Sequence, residues 1–167
     1  VVSYGRMSMN NIEIIGGTVG QKKHARSMAE YCCKMLMPKI TTLDIEIKIK
    51  SFGKDDTCGY AMPLDDHSNP RCFELEINKN ARLRRLLETV AHEMVHVKQY
   101  ARGELFEAIG KHGKHRWQGE WLSDSSKHVT EYWDQPWEIE AHGRECGLFV
   151  RWAQENNLAD KQWTMDD

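Results

Sequence analysis

Apolar positions recur along the chain in two rhythms, one near 3.6 residues and one of two. Ala25, Met28, Ala29, Cys32, Met35 and Leu36 follow three-four spacing, which predicts an amphipathic helix over 18–37 that Pro38 ends. Residues 43–50, LDIEIKIK, alternate strictly. Leu43, Ile45, Ile47 and Ile49 share one face, and Asp44, Glu46, Lys48 and Lys50 the other, so this is a strand with one wet face. Residues 51–70 carry Gly53, Gly59, Pro63 and Pro70 and read as turns, with a short strand near 58–62. Alternation returns over 71–78 through Phe73, Leu75 and Ile77. Asn80 is placed to cap a helix that runs to about residue 102 and stops at Gly103. Residues 104–135 are polar and aromatic and yield no assignable element. Pro136 fits the first position of a last helix reaching about residue 157. The expectation is an α+β domain, a small antiparallel or mixed sheet packed on an N-terminal, a central and a C-terminal helix.

At 167 residues the chain is one domain's worth, and 40% hydrophobic residues suffice for a core. With 23 Lys+Arg against 25 Asp+Glu the net charge is -2, which argues against a polyanion binder as a whole. No apolar run approaches the ~18 residues that span a bilayer. The opening VVSYGRMSMN lacks the apolar stretch of a signal peptide. A cytoplasmic protein with no membrane partner is expected, with residues 1–10 disordered or foreign to the native chain. The five cysteines, Cys32, Cys33, Cys58, Cys72 and Cys146, are odd in number and include no CxxC. They read as free thiols, and only Cys58 and Cys72 are candidates to meet across a hairpin.

The chemistry concentrates in His92-Glu93-Met94-Val95-His96, an HExxH on the central helix. Residues four apart share a helical face, so two imidazoles can reach one Zn²⁺. Glu93, about 100° round the helix, stands beside the metal, placed to take a proton from water that the metal activates. The apolar stripe of this helix is Leu83, Leu86, Leu87, Val90, Met94 and Val97. His92 and His96 lie opposite it, with Arg85, Glu88 and Gln99, so they face water or a cleft rather than the core.

A catalytic zinc takes three protein ligands and keeps one position open. Candidates downstream are His112, His115, His128, Glu138, Glu140 and His142. On the last helix Ile139, Ala141, Cys146, Leu148, Phe149, Val150, Trp152 and Ala153 form a broad apolar arc. Glu138, His142 and Glu145 fall in its middle. Glu140 falls on the other side with Arg144 and Arg151, where it is expected to be exposed. A carboxylate amid an apolar arc is costly without a partner, and a metal is such a partner.

His92-Glu93-x-x-His96 with Glu138-x-x-Ala141 on a later helix resembles the gluzincin metallopeptidases, whose third zinc ligand is Glu. AHEMVHVKQY with YWDQPWEIEAHGRE resembles small single-domain metallopeptidases often encoded by phages. The resemblance covers about residues 40–155. It implies a zincin-like fold, zinc on His92, His96 and Glu138, Glu93 as general base, and a peptide or protein substrate. It also implies that an edge strand, here Cys72–Asn78, pairs with the substrate. The carboxylate that in that clan follows the ligand Glu by four residues is replaced by His142, which can support a ligand histidine or bind metal itself. The oxyanion partner is open among Tyr100, His128, Tyr132 and Arg144.

Lys111-His112-Gly113-Lys114-His115-Arg116 resembles the His-Gly stretch of SprT-like proteases. That alternative makes His112 the third ligand, leaves Glu138 structural, and turns residues 111–116 into a basic loop for nucleic acid. A zinc site closed by His142 or His112, without turnover, is the third alternative.

Overall fold

The computed structural model describes residues 9–108, 115–122 and 132–166. Its main sheet joins β1 (Asn11–Gly16), β2 (Asp44–Lys50), β3 (Gly59–Pro63) and β4 (Cys72–Asn78) in the order β1-β2-β4-β3. β1, β2 and β4 run parallel, and β3 returns antiparallel to β4. The fold is therefore α+β with a mixed sheet. Three helices complete the scaffold: α1 (Val19–Leu36), α2 (Leu83–Ala101) and α3 (Pro136–Glu155). Leu105–Glu107, His115–Trp117 and Glu120–Trp121 form a small antiparallel sheet, β5 to β7, in the stretch that the sequence left unassigned.

The alternation in the sequence becomes two faces. Ile12, Ile14, Ile45, Ile47, Ile49, Phe73, Leu75 and Ile77 are all buried on one side. The register sets Ile12 beside Ile45 and Ile47 beside Leu75, so the ridges coincide. The wet side carries Lys48–Glu74 and Lys50–Glu76 pairs at 3.0 Å, each worth a few tenths of a kcal/mol. β1 went unread in the sequence. Its six residues show only two buried apolar side chains, too short a pattern to stand apart from the opening segment.

α1 starts on a capping box, with Thr18 and Gln21 each bonding the other's backbone N–H. Gly16, with φ of +79°, makes the turn into it, and a Cβ there would collide with the Ile49 carbonyl oxygen. α2 begins at Leu83 with Arg82 as its cap residue and no side-chain cap bond; Asn80, the expected cap, instead bonds Asn78 and Ser51.

α2 packs against β3, β4, α1 and α3, and every residue from Leu86 to Gln99 is buried. A helix enclosed on all sides must satisfy its polar side chains inside the protein. α3 is fixed by buried Phe149, Trp152 and Ala153, with Trp152 Nε1 donating to Ser27 Oγ at 3.0 Å. The apolar arc is narrower than the wheel suggested, since Ile139 and Val150 are exposed. The five cysteines are free, and Cys58 and Cys72 sit at opposite ends of the β3–β4 ladder. Among the described residues, no helix is long and apolar enough to cross a membrane.

Leu75, fully buried at the centre of β4, measures how far this core sustains the scaffold. Leu75→Ala is expected to cost about 2–5 kcal/mol through lost burial and the cavity left behind. Urea unfolding of the two proteins checks this, and a loss below about 1 kcal/mol would contradict it.

Candidate metal centre

The crossing of α2 and α3 brings one cluster together. α2 supplies His92, Glu93 and His96, and α3 supplies Glu138, His142 and Glu145. His92 Nε2 and His96 Nε2 lie 3.2 Å apart. Glu138 straddles them, with Oε2 at 3.3 Å from His92 Nε2 and Oε1 at 3.3 Å from His96 Nε2. All three residues are buried. Two expectations from the sequence meet here: the histidines face a cleft, and Glu138 is the carboxylate that reaches them.

The outer partners decide which protons the rings carry. His92 Nδ1 faces Glu145 Oε2 at 2.7 Å, and an ionised carboxylate only accepts, so Nδ1 holds the proton. Arg85 holds the other oxygen of Glu145 at 3.0 Å. His96 Nδ1 meets Gln99 Oε1 at 2.8 Å. The Gln99 amide cannot be turned round, because its Nε2 donates to the Trp137 carbonyl at 2.9 Å and to Glu140 Oε1 at 3.0 Å. His96 Nδ1 is therefore also the donor. In the neutral rings both Nε2 lone pairs point at each other and at a carboxylate. Glu138 Oε2 is buried without a hydrogen-bond partner among the described residues. Three acceptors face one volume, and a cation there relieves them. His92, His96 and Glu138 can hold a metal ion. His92, His142 and Glu145 form a second such trio, but in it Glu145 already receives the His92 Nδ1–H.

Without a metal, protons answer the same demand. Burial alone would lower His92, but hydrogen bonds to Glu138 and Glu145 outweigh it and carry it from 6.5 up to about 9. His96 moves the same way, burial again being overcome, here by Glu138. Burial works against the Glu138 charge, yet His92 and His96 hold its carboxyl far below the ordinary range. Glu93 lines the same cleft, and burial pushes its carboxyl up while His96 and His92 pull it back.

The cleft beside this cluster encloses about 490 Å³. Its walls include Gly59 and Ala61 of β3, Tyr100, Tyr132 and Trp137. Tyr132 is hydrogen-bonded to His142 Nε2 at 3.0 Å. His115 stacks on Trp137 at 4.8 Å and joins neither donor trio. Arg144 is not on the cleft wall; it donates to Glu140 at 3.1 Å. Glu140 is not the free surface carboxylate that the wheel suggested. Its oxygens take the buried Lys98 ammonium at 2.7 and 3.0 Å, besides Gln99 and Arg144. Glu145, not His142, supports His92. Gln99 and Glu145 are the functional positions that sequence reasoning passed over, although Gln99 lies three residues from His96 and so on its face. His112, His128 and the basic run 111–114 lie outside the described residues. No family model, no curated protein and no solved structure matches the chain.

The two fates of the cluster predict opposite responses to pH. The folded pKa of His92 lies above its unfolded value, so its contribution to stability is full below about pH 6.5 and is lost as pH rises toward 9. Metal-free protein should lose unfolding free energy over that interval. A metal needs the rings deprotonated, so the stabilisation that saturating divalent metal adds should grow over the same interval. Urea unfolding at pH 6.5 and 9, with and without metal, reads both slopes. Identical slopes would contradict the assignment.

Proposed function

We propose that the protein is a zinc-dependent peptidase. The observation that carries the reading is the close spacing of the His92, His96 and Glu138 donor atoms. Bonds of about 2.0–2.1 Å in a tetrahedron give edges of about 3.3–3.4 Å. The His92 and His96 Nε2 atoms are 3.2 Å apart, and each lies 3.3 Å from a different oxygen of Glu138, Oε2 for His92 and Oε1 for His96. Two imidazoles and a carboxylate are the donor set of a catalytic zinc, and all three residues line the cleft, where a further ligand would have room. Zinc held there would supply a Lewis acid for a peptide carbonyl and acidify water.

The rest of the chemistry belongs to the chain. Glu93 is next to His92 on the helix and reaches the cleft, where it accepts the proton of the attacking water and returns it to the leaving amine. Tyr132, hydrogen-bonded to His142, and Tyr100 are the hydroxyls on the wall that can donate to the developing oxyanion. Burial, followed by contact with Glu138, keeps Tyr132 protonated well above its ordinary range.

A peptide needs a track, and β3 is suited to be one. The resemblance assigned that role to Cys72–Asn78, but this strand is β4, paired on both sides. β3 is the edge. Leu64 N–H donates to Cys72 and Asn78 N–H to Cys58, so the even positions of β3 bond β4. In an antiparallel ladder the odd positions then turn away, leaving the N–H and C=O of Gly59 and Ala61 for an added strand. Pro63 has no N–H and ends the track. Gly59 is tight against the base: a Cβ would come within 2.8 Å of Thr89 Cγ2 and 3.2 Å of Glu93 Oε1.

Glu93→Gln separates metal binding from chemistry. It should keep zinc at wild-type stoichiometry and lose peptide hydrolysis by about 10²–10⁴-fold, because an amide cannot take the proton. Zinc content and a peptide-cleavage assay check this together. Full turnover in the variant would overturn the mechanism.

A further inference from the structure

Beyond the catalytic cleft lies a second cavity of about 450 Å³, and Tyr100 and Leu105 line both. The two are consecutive along β3. Gly59, Tyr60 and Ala61 border the first, and Met62, Pro63 and Leu64 the second. Met62 is about 10 Å along the strand from Gly59. A peptide laid on the β3 edge with its scissile bond at Glu93 therefore brings a residue within about three positions of that bond to this cavity.

The walls combine apolar and acidic side chains. Met62, Pro63, Leu105 and Phe106 give carbon surface, and Asp66 and Glu107, both exposed, line the same cavity. Asp65 also lines the cavity, but its oxygens accept the backbone N–H groups of Arg71 and Cys72. Asp66 has no hydrogen bond or ion pair among the described residues. Among the described residues the Glu107 carboxylate pairs only with His115 Nε2, at 3.5 Å. Two described arginines, Arg71 and Arg116, point elsewhere. The Arg71 guanidinium donates to the carbonyls of Asn69, Pro70 and Ala101, and Arg116 lies over the Phe106 and Trp121 rings. Among the described residues His67 is the one basic side chain on the wall. A long aliphatic stem with a cationic head matches this lining, the stem against carbon and the head with the carboxylates.

We propose that this cavity is a specificity subsite for a Lys or Arg side chain of the peptide substrate, and that Asp66 and Glu107 select it. The proposal rests on the peptidase reading above.

Zinc-loaded protein is incubated with a peptide library randomised on both sides of the cut. Lys and Arg should be enriched at one position within three residues of it. In the double variant Asp66→Asn, Glu107→Gln, the ratio of kcat/KM for an Arg peptide to that for its Leu counterpart should fall about tenfold, mainly through KM. Absence of a basic preference, or a ratio unchanged in the double variant, would overturn the subsite while leaving the peptidase reading intact. No cleavage of any library member by the zinc-loaded protein would overturn that reading and the subsite with it.

Discussion

Two imidazoles and a carboxylate are forced into one small volume where α2 crosses α3, and among the described residues Glu138 Oε2 has no hydrogen-bond partner there. Such an arrangement calls either for protons on the rings or for a cation between them. It persists because the rings are clamped from behind. His92 is held by Glu145 and Arg85, and His96 by Gln99, Trp137 and Glu140. Lys98, buried with Glu140 and Glu104, extends the second clamp. Outer partners of this kind set which nitrogen is free and keep the ring from turning. α3 therefore contributes twice within three residues, Glu138 to the cluster and Glu140 to its support.

The sheet has a different task. Its parallel core of β1, β2 and β4 gives α2 a rigid floor, and the single antiparallel strand β3 leaves an open edge beside the cluster. Gly59 lets that edge come close to Glu93, and Pro63 limits its length. The open strand edge, Glu93 and the cluster thus arise from one packing arrangement, in which β3 and α3 both pack on α2. The second cavity follows from the same edge, continued past Pro63 to β5.

The parts of this arrangement that depend on local spacing were legible in the sequence. The i, i+4 histidines, the alternation of β2 and β4, Pro136 at the start of α3 and the unsupported carboxylate Glu138 all follow from periodicity. What was not legible depends on partners distant in the chain. A wheel places Glu140 on the polar side, but Lys98, forty-two residues earlier, draws it into a network. The resemblance offered His142 as support for a ligand histidine or as a metal ligand, whereas Glu145, one helical turn further on, has the reach to His92. The order of the strands decided that β3 and not β4 is the edge, and no pattern within either strand encodes that. β1 offered only Ile12 and Ile14 as buried signal, and a parallel partner thirty-three residues away supplies the rest.

The most direct test of the central claim is an X-ray diffraction map phased at the zinc absorption edge, from crystals of the zinc-loaded protein. The account predicts one metal per chain bonded to His92 Nε2, His96 Nε2 and Glu138 at about 2.0–2.2 Å, with a fourth position open to the cleft. Metal bonded to His112, with Glu138 more than about 4 Å away, would contradict it, since no ligand bond reaches that far.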